Sequence, residues 1–441
     1  MSNVIVQFPK GFLWGTATAS HQVEGNNTNN NWYQWENIPG KIKNGDKSGT
    51  ACDWWGGRWR EDMDRARETG QNAHRLSVEW SRIQPKSDAW DDSAIERYRA
   101  ILKGMLDRGI RPMVTLHHFS NPIWFEDLGG WENEKAPELF DAFVRRVVPA
   151  LMEYTDLWVT INEPNVYAYN GFVSGEFPPG KRDLNLAFQV MLSLIKGHAL
   201  AYQSIHQIQP LAKVGLAINY RSFYPATRSP LDKWVAKTQS GIFNDLFPAS
   251  AAFGKAKFLN KKVNIPQAAN TQDFIGLNYY SRDRVSFDIT KPMNLFGRLY
   301  YPKDADLSPT GFIANEPDGF YEGLKWSAKF KLPIFVTENG VEDEADQLRP
   351  RYLALHVHKL WRGVNYNWPI LGYFHWSLID NFEWERGWSQ RFGLWGLDLA
   401  SGQRIRRRSV DLYAEICQAN GLSSDMVEKY CPEASQRIFP D

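Results

Sequence analysis

Glu163 and Glu338 each stand close behind a short apolar run, 157–161 in the first case and 334–336 in the second. Runs of this length, rich in β-branched and aromatic residues, read as buried strands. A glutamate where such a strand ends is poor packing material, because an unpaired buried carboxylate is costly. Two of them delivered to one strand-end face would make a carboxylate pair, the equipment that cleavage of a glycosidic bond requires. The competing reading is that each is a solvated loop residue or an ion-pair partner. One glutamate alone would leave that reading standing; the polar company described next argues against it.

The elements that must position these acids recur along the whole chain. Strand-like segments fall at 11–17, 73–78, 111–116, 157–161, 213–218, 273–277, 333–337 and 370–375. Between them, helical periodicity covers 59–69, 94–108, 136–154, 184–207, 319–330 and 349–364, with Gly70, Gly109 and Gly363 as stop signals. Strand and helix alternating eight times predict an α/β fold, a parallel (β/α)8 TIM barrel. No repeat or linker marks a boundary, so a single domain over 1–441 is expected.

Chemistry in such a barrel sits at the C-terminal strand ends. The residues there are Gln22 and Glu24 after the first strand, Arg75 and Glu79 at the second, and His117 and His118 at the third. Asn162 and Glu163 end the fourth, Asn219 the fifth, Asn278 and Tyr280 the sixth, Glu338 the seventh and Trp376 the eighth. Amides, imidazoles, a guanidinium, two acids and an indole on one rim suit a polyol. Adjacent His117 and His118 point to opposite faces of a strand, which disqualifies them as a ready metal pair. His118 is expected to face the cavity and His117 the supporting layer. There is no HExxH, no phosphate loop and no dinucleotide glycine fingerprint.

Composition narrows the partners. Hydrophobic residues make up 43% and charged residues 23%, the proportions of a soluble globular protein with a large core. With 51 basic and 50 acidic residues there is no electrostatic case for nucleic acid or an anionic membrane. The local run from Arg404 to Arg408 reads as a solvated turn leading into a C-terminal helix. Three cysteines form neither a zinc spacing nor a disulfide framework. The N-terminus lacks the pattern of a signal peptide, and no apolar run approaches the ~20 residues of a membrane span. A cytoplasmic location is the expectation. The 19 Trp and 18 Tyr fill a big core or stack on sugar rings; composition alone does not separate the two uses.

With these residues assembled, the chain resembles the family 1 glycoside hydrolases, the β-glucosidase and β-galactosidase family of (β/α)8 barrels. The likeness runs from Phe8-Pro9-Lys10-Gly11 to Val410-Asp411-Leu412-Tyr413. It is carried by His74-Arg75-Leu76-Ser77-Val78-Glu79-Trp80, Thr160-Ile161-Asn162-Glu163-Pro164, Gly276-Leu277-Asn278-Tyr279-Tyr280, Thr337-Glu338-Asn339-Gly340 and Asp380-Asn381-Phe382-Glu383-Trp384.

The resemblance implies that Glu163 is the general acid/base and Glu338 the nucleophile of a retaining β-glycosidase. The expected substrates are terminal β-D-glucosides, with β-D-galactosides and fucosides also accepted, presented as small β-glycosides or short oligosaccharides. It places Gln22, His118, Asn162 and Glu383 on the nonreducing sugar, Trp376 beneath its ring and Trp384 near its outer hydroxyls. Asn278 and Tyr280 fall beside the two acids, and Arg75 is the cation near the nucleophile. No metal or organic cofactor is implied.

The sequence departs from the commoner family pattern at Asn165, Phe119-Ser120-Asn121 and Gly311-Phe312-Ile313, all bearing on the leaving-group side. A transglycosylase using the same residues and a catalytically silent sugar-binding module are the alternatives. Product analysis separates the first, and the presence of both glutamates argues against the second.

Overall fold

Eight parallel strands close into a barrel: β1 (Leu13–Ala17), β2 (Ala73–Ser77), β3 (Arg111–His117), β4 (Leu157–Asn162), β5 (Lys213–Asn219), β6 (Phe274–Tyr279), β7 (Ile334–Asn339) and β8 (Ile370–Trp376). The structure is a computed structural model describing residues 4–440; the ends of the expected 1–441 domain, residues 1–3 and 441, lie outside the described residues. Each predicted strand is found, most of them reaching a residue or two further toward the C-terminal rim. β2, β4, β6 and β7 are buried along their whole length, inside against the barrel core and outside against helices. That two-sided burial is why they read as continuous apolar runs rather than as alternating ones.

Apart from one shift at the start of β7, between Ile334 and Phe335, the pairing breaks near the rim. Register slips between Val159 and Asn162, between Leu277 and Asn278, and between Val336 and Asn339. A slip of this kind re-aims the next side chains, and Glu163, Asn278 and Glu338 stand at these three breaks. Close approach has its own requirement at Gly340, where a Cβ would lie 1.9 Å from the Trp376 carbonyl oxygen.

Beyond the rim, β5 and β6 are followed by Ser222–Pro225 and Arg282–Phe287, which pair in parallel. Gly297–Tyr300 joins them antiparallel, giving a three-stranded sheet beside the mouth.

Three sequence expectations need correction. Gly70 and Gly109 follow helix ends at positive φ, as predicted. Gly363 instead lies inside the helix Arg349–Asn365, where a Cβ would press on Ile370 and Trp368 at 2.8–2.9 Å. Its role is close packing, not termination.

The run Arg404 to Arg408 is no solvated turn. Arg404–Arg406 is a strand paired with Trp395–Leu397. Arg404 and Arg407 are buried on Asp62 and Asp380, each through two hydrogen bonds of 2.7–3.1 Å. Stripping one partner from such a pair costs roughly 3–5 kcal/mol.

Finally, the helix Leu184–Ile208 is long and apolar enough by composition to span a bilayer. Gln189, Ser193, Lys196 and His198 interrupt any pure apolar run, which hid this in the sequence. Its buried face, including Val190, Leu194 and Ala201, belongs to the core.

Candidate active site

Glu163 is delivered by an unusual local geometry. β4 ends at Asn162, and Glu163 adopts φ 43°, ψ 55° before Pro164 opens the helix Pro164–Tyr169. A left-handed conformation in a residue with a Cβ is strained. It persists because the Glu163 N–H donates to the Ala217 carbonyl at 2.7 Å, and its own carbonyl accepts from Tyr167 N–H at 2.9 Å. The turn swings the carboxyl into the barrel mouth, where Oε1 accepts from Asn278 Nδ2 at 2.7 Å and Asn219 Nδ2 at 2.9 Å.

Glu338 comes up on β7 into a different environment. Its Oε1 accepts from Arg75 Nη1 at 2.7 Å and its Oε2 from the Tyr280 hydroxyl at 2.5 Å. The guanidinium is itself pinned. Arg75 Nε donates to Thr115 Oγ1 at 3.0 Å, Nη1 also to the Thr337 carbonyl at 3.2 Å, and Nη2 to Asn162 Oδ1 at 2.6 Å. Arg75 and Glu338 side chains are 1% and 4% exposed, so this is a buried ion pair held by a full set of partners.

Both carboxyl groups are raised above the usual carboxylate range, chiefly by burial, and they titrate as a pair. Their surroundings then divide them. Glu163 is pushed up, to about 8, by burial and then by the Glu338 charge, with neutral amides as the hydrogen-bonding opposition. Against burial at Glu338 stand the Arg75 charge and the Tyr280 hydroxyl. Burial holds the Tyr280 phenol well above its ordinary range, so it remains a donor. The shared proton therefore rests on Glu163 while Glu338 stays ionised.

A cavity of about 460 Å³ opens over the pair, inside the range of small-molecule sites. Of the expected residues, His118, Asn162, Glu163, Tyr280, Glu338, Trp376, Glu383 and Trp384 line it. Gln22, Asn278 and Arg75 lie behind that wall and hold it. Gln22 Nε2 donates to Asn381 Oδ1 at 3.0 Å, the Phe382 carbonyl at 2.8 Å and Glu383 Oε2 at 3.2 Å, while its Oε1 is buried with no partner.

His118 stacks between Trp376 and Trp384, at 6.0 and 5.8 Å between ring centres, and its Nε2 pairs with Asn162 Nδ2 at 2.9 Å. Burial keeps its imidazole neutral, well below the ordinary range. His117 points the other way, to Asn121 Oδ1 at 2.8 Å and the Trp131 ring, as adjacent positions on a strand require. Glu383 is driven well above the carboxylate range by burial, then by the charges of Glu385 and Glu338.

Sequence reasoning placed Asn219 on the rim but gave it no role; its bond to Glu163 supplies one. Glu176, Phe177, Tyr301 and Arg386 also line the cavity. Glu176, Phe177 and Tyr301 arrive from loops and Arg386 from the short 3-10 helix Trp384–Ser389, and nothing in their spacing announced them. Among the described residues no cluster of three or more His, Cys, Asp or Glu is arranged to hold an ion.

The family model described as "Glycosyl hydrolase family 1" matches residues 4–422. The chain is 32% identical to Beta-glucosidase A of Thermotoga maritima, covering 95% of this chain and 99% of that one. It is 29% identical to the Beta-galactosidase of Pyrococcus woesei over 96% of this chain and 99% of that one. The solved beta-glycosidase from Pyrococcus horikoshii superposes with a TM-score of 0.91 at 33% identity, covering 97% of this chain and 98% of that one.

Proposed function

The chain belongs to glycosyl hydrolase family 1, and from that membership we propose a retaining β-glycosidase that releases terminal β-D-glucosyl residues and also accepts β-D-galactosyl and β-D-fucosyl ones. Glu338 attacks the anomeric carbon and Glu163 protonates the departing oxygen. The glycosyl-enzyme is then opened by water, from which Glu163 takes a proton. The observation that carries this reading is the asymmetry between two buried glutamates: one bonded to a guanidinium and a phenol, the other to neutral amides only. Stacked indoles and the neutral His118 supply the flat face and the hydroxyl partner of a sugar site.

The test is a time course of β-glucoside hydrolysis followed by NMR, alongside a panel of aryl β-glycosides. β-Sugar should appear first, with glucoside, galactoside and fucoside all turned over. α-Sugar as the first product would overturn retention. In the same panel, 6-phospho-β-glucoside should have a kcat/KM lower by roughly 10²-fold or more, because Glu383 and Glu385 line the cavity and a phosphate beside them is repelled by any charge either acid carries.

pH dependence follows from the two carboxyls. Glu163 works protonated, and its pKa is raised, so activity should hold through neutral pH and fall as pH rises through about 8. Glu338 works ionised, so activity should also fall on the acid side as it takes up a proton. The kcat/KM profile checks this. Activity still rising at pH 9 would contradict Glu163 as the acid.

A further inference from the structure

Glu163 and the helix it opens are tied to the end of β5 at three points. The Glu163 N–H donates to the Ala217 carbonyl, and its Oε1 accepts from Asn219 Nδ2 at 2.9 Å. Two residues further on, Asn165 Nδ2 donates to the Asn219 carbonyl at 2.8 Å and to the Phe243 carbonyl at 3.0 Å. Asn165 is 1% exposed and its Oδ1 is buried with no hydrogen-bond partner, so its polar work is to hold those two carbonyls.

A second amide closes on the same oxygen from β6. Asn278 and Asn219 are register partners on neighbouring parallel strands, so their side chains leave one face together. The Tyr220 N–H donates to the Asn278 carbonyl at 2.8 Å and locks the two strand ends to each other. Asn278 Oδ1 accepts from the Thr337 hydroxyl at 2.6 Å, which leaves its Nδ2 to face Glu163 Oε1 at 2.7 Å. Oε1 thus receives two N–H donors, while among the described residues no hydrogen bond reaches Oε2.

That arrangement decides where a proton can sit. A carboxyl oxygen that carries hydrogen gives up acceptor capacity, and its O–H needs an acceptor of its own. Oε1 meets two amide nitrogens that only donate. Oε2 meets neither, and the residue lines the cavity where a leaving group would stand.

We propose that Asn219, held by Asn165, is a positioning residue for the acid's proton: with Asn278 it closes Oε1, so the transferable proton sits on Oε2, and that same oxygen later takes the proton from water. This deepens the glycosidase reading above and rests on it.

The test uses two changes at Asn219. Asn219→Asp keeps the shape and turns the donor into an acceptor, which draws the proton onto Oε1 and off the reaction path. Its kcat/KM on methyl β-glucoside should fall by about 10²-fold or more. Dinitrophenyl β-glucoside, whose leaving group needs no proton, should stay within about tenfold. Asn219→Ala removes a donor that favours the charged carboxylate, and Glu338, Arg75 and Tyr280, the charged and titratable groups facing Glu163, are left in place. The basic limb of its kcat/KM profile should therefore move up, by about half to one pH unit. Asn165→Ala should repeat that change at smaller amplitude, and joining it to Asn219→Ala should add little further.

Equal losses on the two substrates in Asn219→Asp, or full activity on methyl glucoside, overturn the proposal. So does a basic limb in Asn219→Ala that stays or moves down, and this readout decides alone should the Asp variant fail to fold. Additive effects of Asn165→Ala and Asn219→Ala would remove Asn165 from the arrangement. No turnover of any β-glucoside by the unmodified protein would instead sink the glycosidase reading itself.

Discussion

Glu338→Ala is expected to abolish turnover of every β-glycoside, good leaving groups included, by roughly 10⁴-fold or more. The two other acids expected at the site are engaged elsewhere: Glu163 is bonded to amides across the mouth, and Glu383 sits with Gln22. The substitution also strands Arg75, whose Nη1 loses its anionic partner deep in the barrel. Melting should therefore be measured beside activity. A folded Glu338→Ala protein keeping more than a few per cent of wild-type kcat on a nitrophenyl glucoside would remove Glu338 from the nucleophile's role.

Glu163→Ala should behave differently, and the difference is the diagnostic. Proton donation contributes typically about 10²–10⁴-fold. A leaving group that departs as a stable anion hardly needs the proton, so nitrophenyl glucoside should keep its glycosylation rate far better than methyl glucoside. The second step lacks its base in either case, and a burst of phenol followed by a slow phase is expected. Equal losses across leaving groups of differing pKa would show that the two glutamates had been assigned the wrong way round.

Much of this was written in the sequence. The strands were legible because burial on both faces makes them unbroken apolar runs, and the acids because glutamate at such a run's end has no packing rationale. His118 and Trp376 were placed on the rim by position, at the ends of elements whose order fixes where those ends go, whereas Gln22, expected on the sugar, lies behind the cavity wall.

What escaped was mostly non-local or a matter of shape. The Arg404 and Arg407 side chains find Asp62 and Asp380, acids 342 and 27 positions away, so a local reading saw only a basic run. Gly363 was taken as punctuation because its real neighbours, Trp368 and Ile370, matter through shape and not through spacing. Glu176 and Tyr301 in loops and Arg386 in a short 3-10 helix carry no periodicity at all. Asn165 was visible as a departure from the family pattern, but its buried, unpartnered oxygen depends on carbonyls 54 and 78 residues distant.

The left-handed backbone at Glu163 bears on how such a chain can change over generations. A residue with a Cβ held there costs about 1 kcal/mol or more, and its buried carboxyl shares a pocket with a second one. Glycine relieves both burdens, and water from the open cavity can meet the freed Asn278 and Asn219 amides. Glu163→Gly should therefore melt no lower than its parent, which a thermal scan checks; a markedly lower midpoint would refute it. Drift toward stability and selection for turnover then pull this position in opposite directions. A descendant relieved of selection can lose the acid by one substitution and still fold, with its indoles and His118 in place. Binding outlives catalysis along that route, and a sugar receptor lies a single mutational step away.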